Sequence, residues 1–206
     1  DSATGSWCEG LTAFLADHAY RQEAGEGVAD RNEAITRYLS YVAKDNAIPL
    51  RSFTSASHTQ TLAEAKRAIG YNRGSLFFYE LREKIGSLAF SEGLRNFYAG
   101  NRNRHAGWSD LQASFAAAAK ADLHSFFAER LERADIPALA LDNVVVSSVD
   151  KGSKLSFTLR QTTEKPFTLD VPIRIRTQSG DITIQKEITE LVTEISIILD
   201  QRPLEF

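Results

Sequence analysis

The sequence predicts an α+β fold, with an N-terminal all-α helical domain followed by a small antiparallel β-sandwich. Three observations carry this expectation. Apolar residues recur at spacings of three and four up to about Ala134, then at a spacing of two from about Leu139, with Pro137 between them. Glycines punctuate the first part at helix-length intervals, at Gly70, Gly86, Gly100 and Gly107. The second part is a series of short runs rich in Val, Ile, Leu, Phe and Thr, with Ser179-Gly180-Asp181 as a hairpin turn signal. The domains expected are residues 1–137, helical, and residues 138–206, the β-sandwich.

In order along the chain, residues 7–24 place Trp7, Leu11, Phe14, Leu15 and His18 on an amphipathic helix, which Gly25 and Gly27 break. Asp30 can cap or open the next helix, 31–44, whose stripe is Ile35, Tyr38, Leu39 and Val42. Residues 45–61 hold Pro49 and many Ser and Thr, and read as a loop. Five further helical patterns follow at 62–69, 74–85, 88–99, 108–120 and 123–134. Strands are expected at 139–149, 154–161, 167–177, 181–188 and 194–199. Leu155, Phe157 and Leu159 point one way while Ser156 and Thr158 point the other, and Val171, Ile173 and Ile175 alternate with Pro172, Arg174 and Arg176. Pro172 lacks an N–H donor and belongs at a sheet edge or bulge.

The chain has 206 residues, of which 43% are hydrophobic and 25% charged, an ordinary globular composition. Its net charge of -3 offers no electrostatic case for nucleic acid or an anionic membrane. No run approaches the length of a membrane span. The single cysteine, Cys8, cannot form an internal disulfide. Methionine is absent even at position 1, so a processed or excised chain is expected.

Few residues carry chemistry. Glu9 sits at a helix start, where a carboxylate is favoured by the helix dipole whether or not it has a further role. Tyr71 precedes Arg73-Gly74 at another helix start, where its phenol reads as a buried hydroxyl with a partner. The four histidines, His18, His58, His105 and His124, include no pair at i, i+4. His18 lies about half a turn out of phase with Glu9 on an ideal helix, so all four read as surface or satisfied groups. No G-x-S-x-G turn, P-loop or G-x-G-x-x-G is present, and Cys8 lacks a cationic neighbour to activate it. Arg95, Arg102, Arg104 and His105 near Tyr98 and Trp108 read as a solvated interhelical loop.

Two words in order carry a resemblance. Trp7-Cys8-Glu9-Gly10-Leu11-Thr12 is similar to the W-x-x-E-G-[FL] segment of the gluzincin zinc aminopeptidases, relatives of aminopeptidase N and leukotriene hydrolase, with the Trp one position closer. Ile69-Gly70-Tyr71-Asn72-Arg73-Gly74 resembles their Tyr-x-[KR]-Gly word at a similar interval. The stretches 76–95, 108–111, 123–127 and 136–137 continue the likeness, with Arg130 and Asp135 standing where many members have Trp and Gly. The resemblance implies that the chain is the C-terminal part of a metallopeptidase catalytic domain plus the following β-sandwich. It implies Glu9 as a zinc ligand, Tyr71 as the catalytic oxyanion donor, and hydrolysis of N-terminal residues from peptide substrates. The H-E-x-x-H half, with two ligands and the general base, matches nothing here, so zinc belongs to an intact parent and none is expected in this chain. Self-association is expected through apolar side chains around 7–14 and after Tyr71, left bare by the missing half. The alternatives are a non-catalytic helical-plus-sandwich binding module and a degenerate peptidase homologue.

Overall fold

The structure, a computed structural model, describes residues 5–55 and 63–205. The chain divides into two compact units, Asp1–Asp135 and Ile136–Phe206. The first is helical and the second is β, which is the α+β organisation expected from the change of period.

Six helices occur among the described residues of the first unit. Helix α1 spans 8–23 in three contiguous parts: an α segment Cys8–Thr12, a π turn Ala13–His18 and an α segment Ala19–Glu23. Gly25, with φ of 81°, ends it. Helix α2 is Gly27–Tyr41, so Gly27 opens a helix that it was expected to precede. Asp30 lies in the first turn of α2 and is spent on His18 and Arg21. A single 3₁₀ turn, Leu50–Ser52, follows. Helix α3 spans 64–85 and again has a π turn, Ala68–Arg73, between Glu64–Arg67 and Gly74–Ile85.

The two helices expected at 62–69 and 74–85 are therefore one, and Gly70 does not interrupt it. Gly70 is there for close approach, since a Cβ at that position would lie 2.1 Å from the ring of the fully buried Phe53. Helices α4 (Ser87–Asn101), α5 (Trp108–Ala119) and α6 (His124–Glu132) complete the unit. Its core is aromatic: Phe77 meets Phe78, Trp108, Phe126 and Phe127 with ring centroids 5.1–5.5 Å apart, spacings at which edge-on packing is favourable.

The stripe expected on α2 is only partly buried. Tyr38 is 5% exposed, but Ile35 and Leu39 are 41% and 62% exposed. The apolar side chains expected to be bare near α1 are instead covered, with Leu11, Phe14, Phe77 and Phe78 all buried.

The second unit has strands β1 (Leu139–Val149), β2 (Gly152–Gln161), β3 (Leu169–Thr177), β4 (Gly180–Ile188) and β5 (Val192–Leu199). All pairings are antiparallel, in sheets ordered β1-β2-β5 and β3-β4. Leu155, Phe157 and Leu159 from one sheet meet Ile173, Ile175 and Ile188 from the other in a single core. Pro172 is exposed and lies in the two-stranded sheet, where both strands are edges. Gln161, 3% exposed, ties the loops together. Its amide donates to the carbonyls of Phe167 and Glu190, and its carbonyl accepts from the Phe167 amide at 2.8 Å.

Candidate active site

The two words found in the sequence meet where α1 crosses α3. Gly10 and Gly74 touch backbone to backbone: a Cβ at Gly10 would lie 2.7 Å from Gly74 Cα, and one at Gly74 would lie 2.9 Å from Gly10 Cα. Only residues without a side chain permit that approach. Glu9 is the neighbour of Gly10, and Tyr71 is one turn before Gly74. Each helix also carries a π turn at this point, Ala13–His18 on α1 and Ala68–Arg73 on α3. Such single wide turns within α-helices occur often at functional sites.

A third segment braces both helices. Phe53 lies under Gly70, its carbonyl accepts from the Ser6 amide at 2.8 Å, and the Ser55 amide donates to the Ser6 hydroxyl at 3.1 Å. This brings the Ser55 hydroxyl to Glu9, where it donates to Oε1. The Cys8 thiol donates to Oε2 at 2.9 Å. Partial burial, together with that hydrogen bond to and the charge of Glu9, raises the thiol pKa to about 11, so it stays protonated at neutral pH. Glu9 is thus half-buried and held at both oxygens. Oriented carboxylates of this kind are typical of metal ligands braced by neighbouring donors.

Tyr71 is 42% exposed, and its hydroxyl makes no hydrogen bond among the described residues. It stands at the junction of a trough between α1, α2 and α3. The larger lobe, about 510 Å³, includes Ala13, Asp17, Arg37, Asn72 and Ser75, and the smaller, about 320 Å³, includes Tyr41 and Arg67. Both volumes lie in the range of small-ligand pockets, about 300–1,000 Å³. Ala13, one turn on from Glu9, lines both lobes.

Arg73 explains the basic position in the second word. It is 8% exposed and donates to the carbonyls of Arg133 (2.7 Å), Ala134 (3.0 Å) and Arg130 (3.1 Å), with longer contacts to Asp135 and Ile48. The last carbonyls of a helix have no intrahelical donor, and Arg73 supplies one at and beyond the end of α6. Desolvation lowers the Arg73 pKa, while Tyr38 and the charges of Asp135 and Glu80 work against it. The hydrogen bonds that Asp135 accepts from Arg133, at 2.6 and 2.9 Å, lower its carboxyl pKa below the ordinary value. Arg130 pairs with Glu80 at 2.9 Å and lies over the Phe126 ring at 4.8 Å.

His18 is 2% exposed, with Nδ1 2.7 Å from Asp30 Oδ2 and its ring stacked on Phe14. His105 and His124 are exposed, and His58 lies outside the described residues. No group of three or more His, Cys, Asp or Glu capable of holding a metal occurs among the described residues. Glu9 offers one ligand of the three a catalytic zinc requires, so these residues alone do not fit the metal. In the basic loop, Arg104 pairs with Asp110 at 3.1 Å and Arg102 lies 6.0 Å from the Tyr98 ring. No helix among the described residues is long and apolar enough to cross a membrane.

Ser55 and Asp17 were not singled out by sequence, since a lone Ser or Asp at a loop or helix position carries no spacing signal.

No family model and no curated protein matches this sequence. Among solved structures, the chain is similar to Legionella pneumophila aminopeptidase A, solved in complex with aspartic acid. The TM-score is 0.62 and the identity 19%, over 95% of this chain and 22% of that one. The chain therefore spans about a fifth of that protein's length, and the likeness is one of fold.

Proposed function

We propose that this chain is part of a zinc-dependent aminopeptidase, with Glu9 as one zinc ligand and Tyr71 as the donor to the oxyanion. The observation that carries the reading is the Gly10–Gly74 crossing. It sets the Glu9 word against the Tyr71 word, with a braced carboxylate on one helix and an unengaged phenol on the other. The similarity to an aminopeptidase over 95% of the chain supports it. The other two ligands and the general base belong, in this reading, to a segment outside the present sequence. A zinc held by Glu9 and those outside ligands would supply polarisation of the scissile carbonyl and activation of water. Ser55 and Cys8 hold the Glu9 carboxylate in place. Tyr71 donates its hydroxyl proton in a hydrogen bond to the oxygen on which negative charge develops, stabilising that charge more than the ground-state carbonyl.

The test uses the protein carrying its natural upstream segment, assayed for release of N-terminal residues from peptides. Glu9→Gln should lower the zinc content and the activity together. Tyr71→Phe should keep the zinc and lower kcat by about 10²–10³, the usual loss for one oxyanion donor. A Tyr71→Phe enzyme with unchanged kcat, or a protein that releases no residue from any peptide, would refute the assignment.

A further inference from the structure

The trough beside Tyr71 has a charge pattern that the phenol does not account for. Its two lobes share Asp17 and Arg37, on α1 and α2 respectively. Most other charge in the larger lobe is spent internally. Asp30 engages His18 at 2.7 Å, Arg21 reaches Glu33 at 3.1 Å, and Arg37 gives one N–H group to Glu33 at 2.6 Å. A guanidinium has five N–H donors in a planar fork, so Arg37, 60% exposed, keeps an unspent edge. Asp17 makes no hydrogen bond or ion pair among the described residues. Asp17 and Arg37 are thus the charged pair common to both lobes, with Glu64 and Arg67 farther along the smaller one, and the small residues Ala13, Ala16 and Ala34 leave room in the larger.

A basic side chain drawn to Asp17 would meet Arg37, and a simple anion drawn to Arg37 would meet Asp17. A zwitterion the size of one amino acid satisfies both. We propose that this trough seats the carboxyl-terminal residue of a dipeptide, with its carboxylate on the free edge of Arg37 and its nitrogen end toward Asp17. The proposal rests on the aminopeptidase reading. In that reaction the C–N bond breaks, the acyl carbon takes hydroxide from water, and the leaving nitrogen takes the proton. The nitrogen becomes an amine that is protonated at neutral pH. Asp17 therefore faces an amide in the substrate and an ammonium in the product, so the free amino acid is itself a ligand of the trough.

The chain as it stands can be tested by a nuclear magnetic resonance titration with Ala-Ala, its C-terminal amide and free alanine. Ala-Ala and alanine should shift the backbone amides of Ala13, Asp17, Arg37 and Asn72. The amidated peptide should bind about ten-fold or more weakly, as expected for loss of a charge-assisted pair. Arg37→Gln should abolish the difference between acid and amide, and Arg37→Lys should keep part of it. Glu33 retains Arg21 in both variants, so the helices stay paired. Equal binding of acid and amide, a preference that survives Arg37→Gln, or shifts that bypass the trough would overturn the proposal. Activity of the protein with its upstream segment separates the two readings. Cleavage of long peptides without any carboxylate preference for dipeptides removes the seat and leaves the peptidase. Carboxylate-dependent binding in the trough with no cleavage of any peptide keeps the seat and removes the peptidase.

Discussion

Arg73 ties the segment after α6 into the helical unit. It brings a desolvated guanidinium to the carbonyls at and beyond the end of α6. Arg73→Ala is expected to cost about 3 kcal/mol, the scale of charge-assisted bonds lost together with acceptors left unsatisfied. Urea unfolding followed by tryptophan fluorescence reads this, and a loss below 1 kcal/mol would show water replacing the side chain without cost. Asp135 gives a pH signature of definite sign. Arg133 depresses its folded pKa below the unfolded value, so its contribution is fully present above the unfolded carboxylate pKa. That contribution is lost as pH falls through the folded value. The side chain is 43% exposed, and solvent screening keeps the effect below about 1 kcal/mol. Asp135→Asn should flatten this part of the acid limb in thermal melts between neutral and acid pH, and an acid limb identical to the parent's would contradict the pairing.

At the scale of elements, the crossing of α1 and α3 is controlled by two hydrogen atoms. A methyl group at Gly10 meets the backbone of Gly74 at 2.7 Å, and backbone cannot rotate out of the way. Gly10→Ala should separate the helices and cost about 2 kcal/mol, as overpacking does. Gly25→Ala has open space around its Cβ and pays only for its positive φ. Comparing the two in one denaturation series distinguishes steric from torsional cost. The same helices show what was legible beforehand. The amphipathic period located α1 and α3, and the words around Glu9 and Tyr71 marked where they would matter. Gly70 was misread because a glycine that ends a helix and one that admits a neighbouring ring look alike without the neighbour. The α2 stripe was misread for a related reason. Periodicity reports an apolar face, and only the packing reveals that Ile35 and Leu39 remain exposed. Residues such as Ser55 and Asp17 gain meaning only from what the fold brings beside them.

At the scale of the molecule, both tryptophans, Trp7 and Trp108, and all six tyrosines belong to the helical unit. Intrinsic fluorescence is therefore blind to the β unit, which far-ultraviolet circular dichroism sees. Ile175→Ala removes a fully buried side chain from the sheet core and should destabilise that unit by about 2–5 kcal/mol. The fluorescence midpoint should stay in place while the dichroism curve acquires an earlier phase. A common shift in both signals would mean that the two units unfold as one. The Arg73 network has a last consequence, for where the chain can be cut. Three of its acceptors, on Arg133, Ala134 and Asp135, lie past the final helical residue, Glu132. A helical piece ended at Glu132 would keep every helix intact and still lose most of what its buried cation holds. The first serviceable stop is after Asp135, three residues beyond the place where the helix itself would suggest ending it.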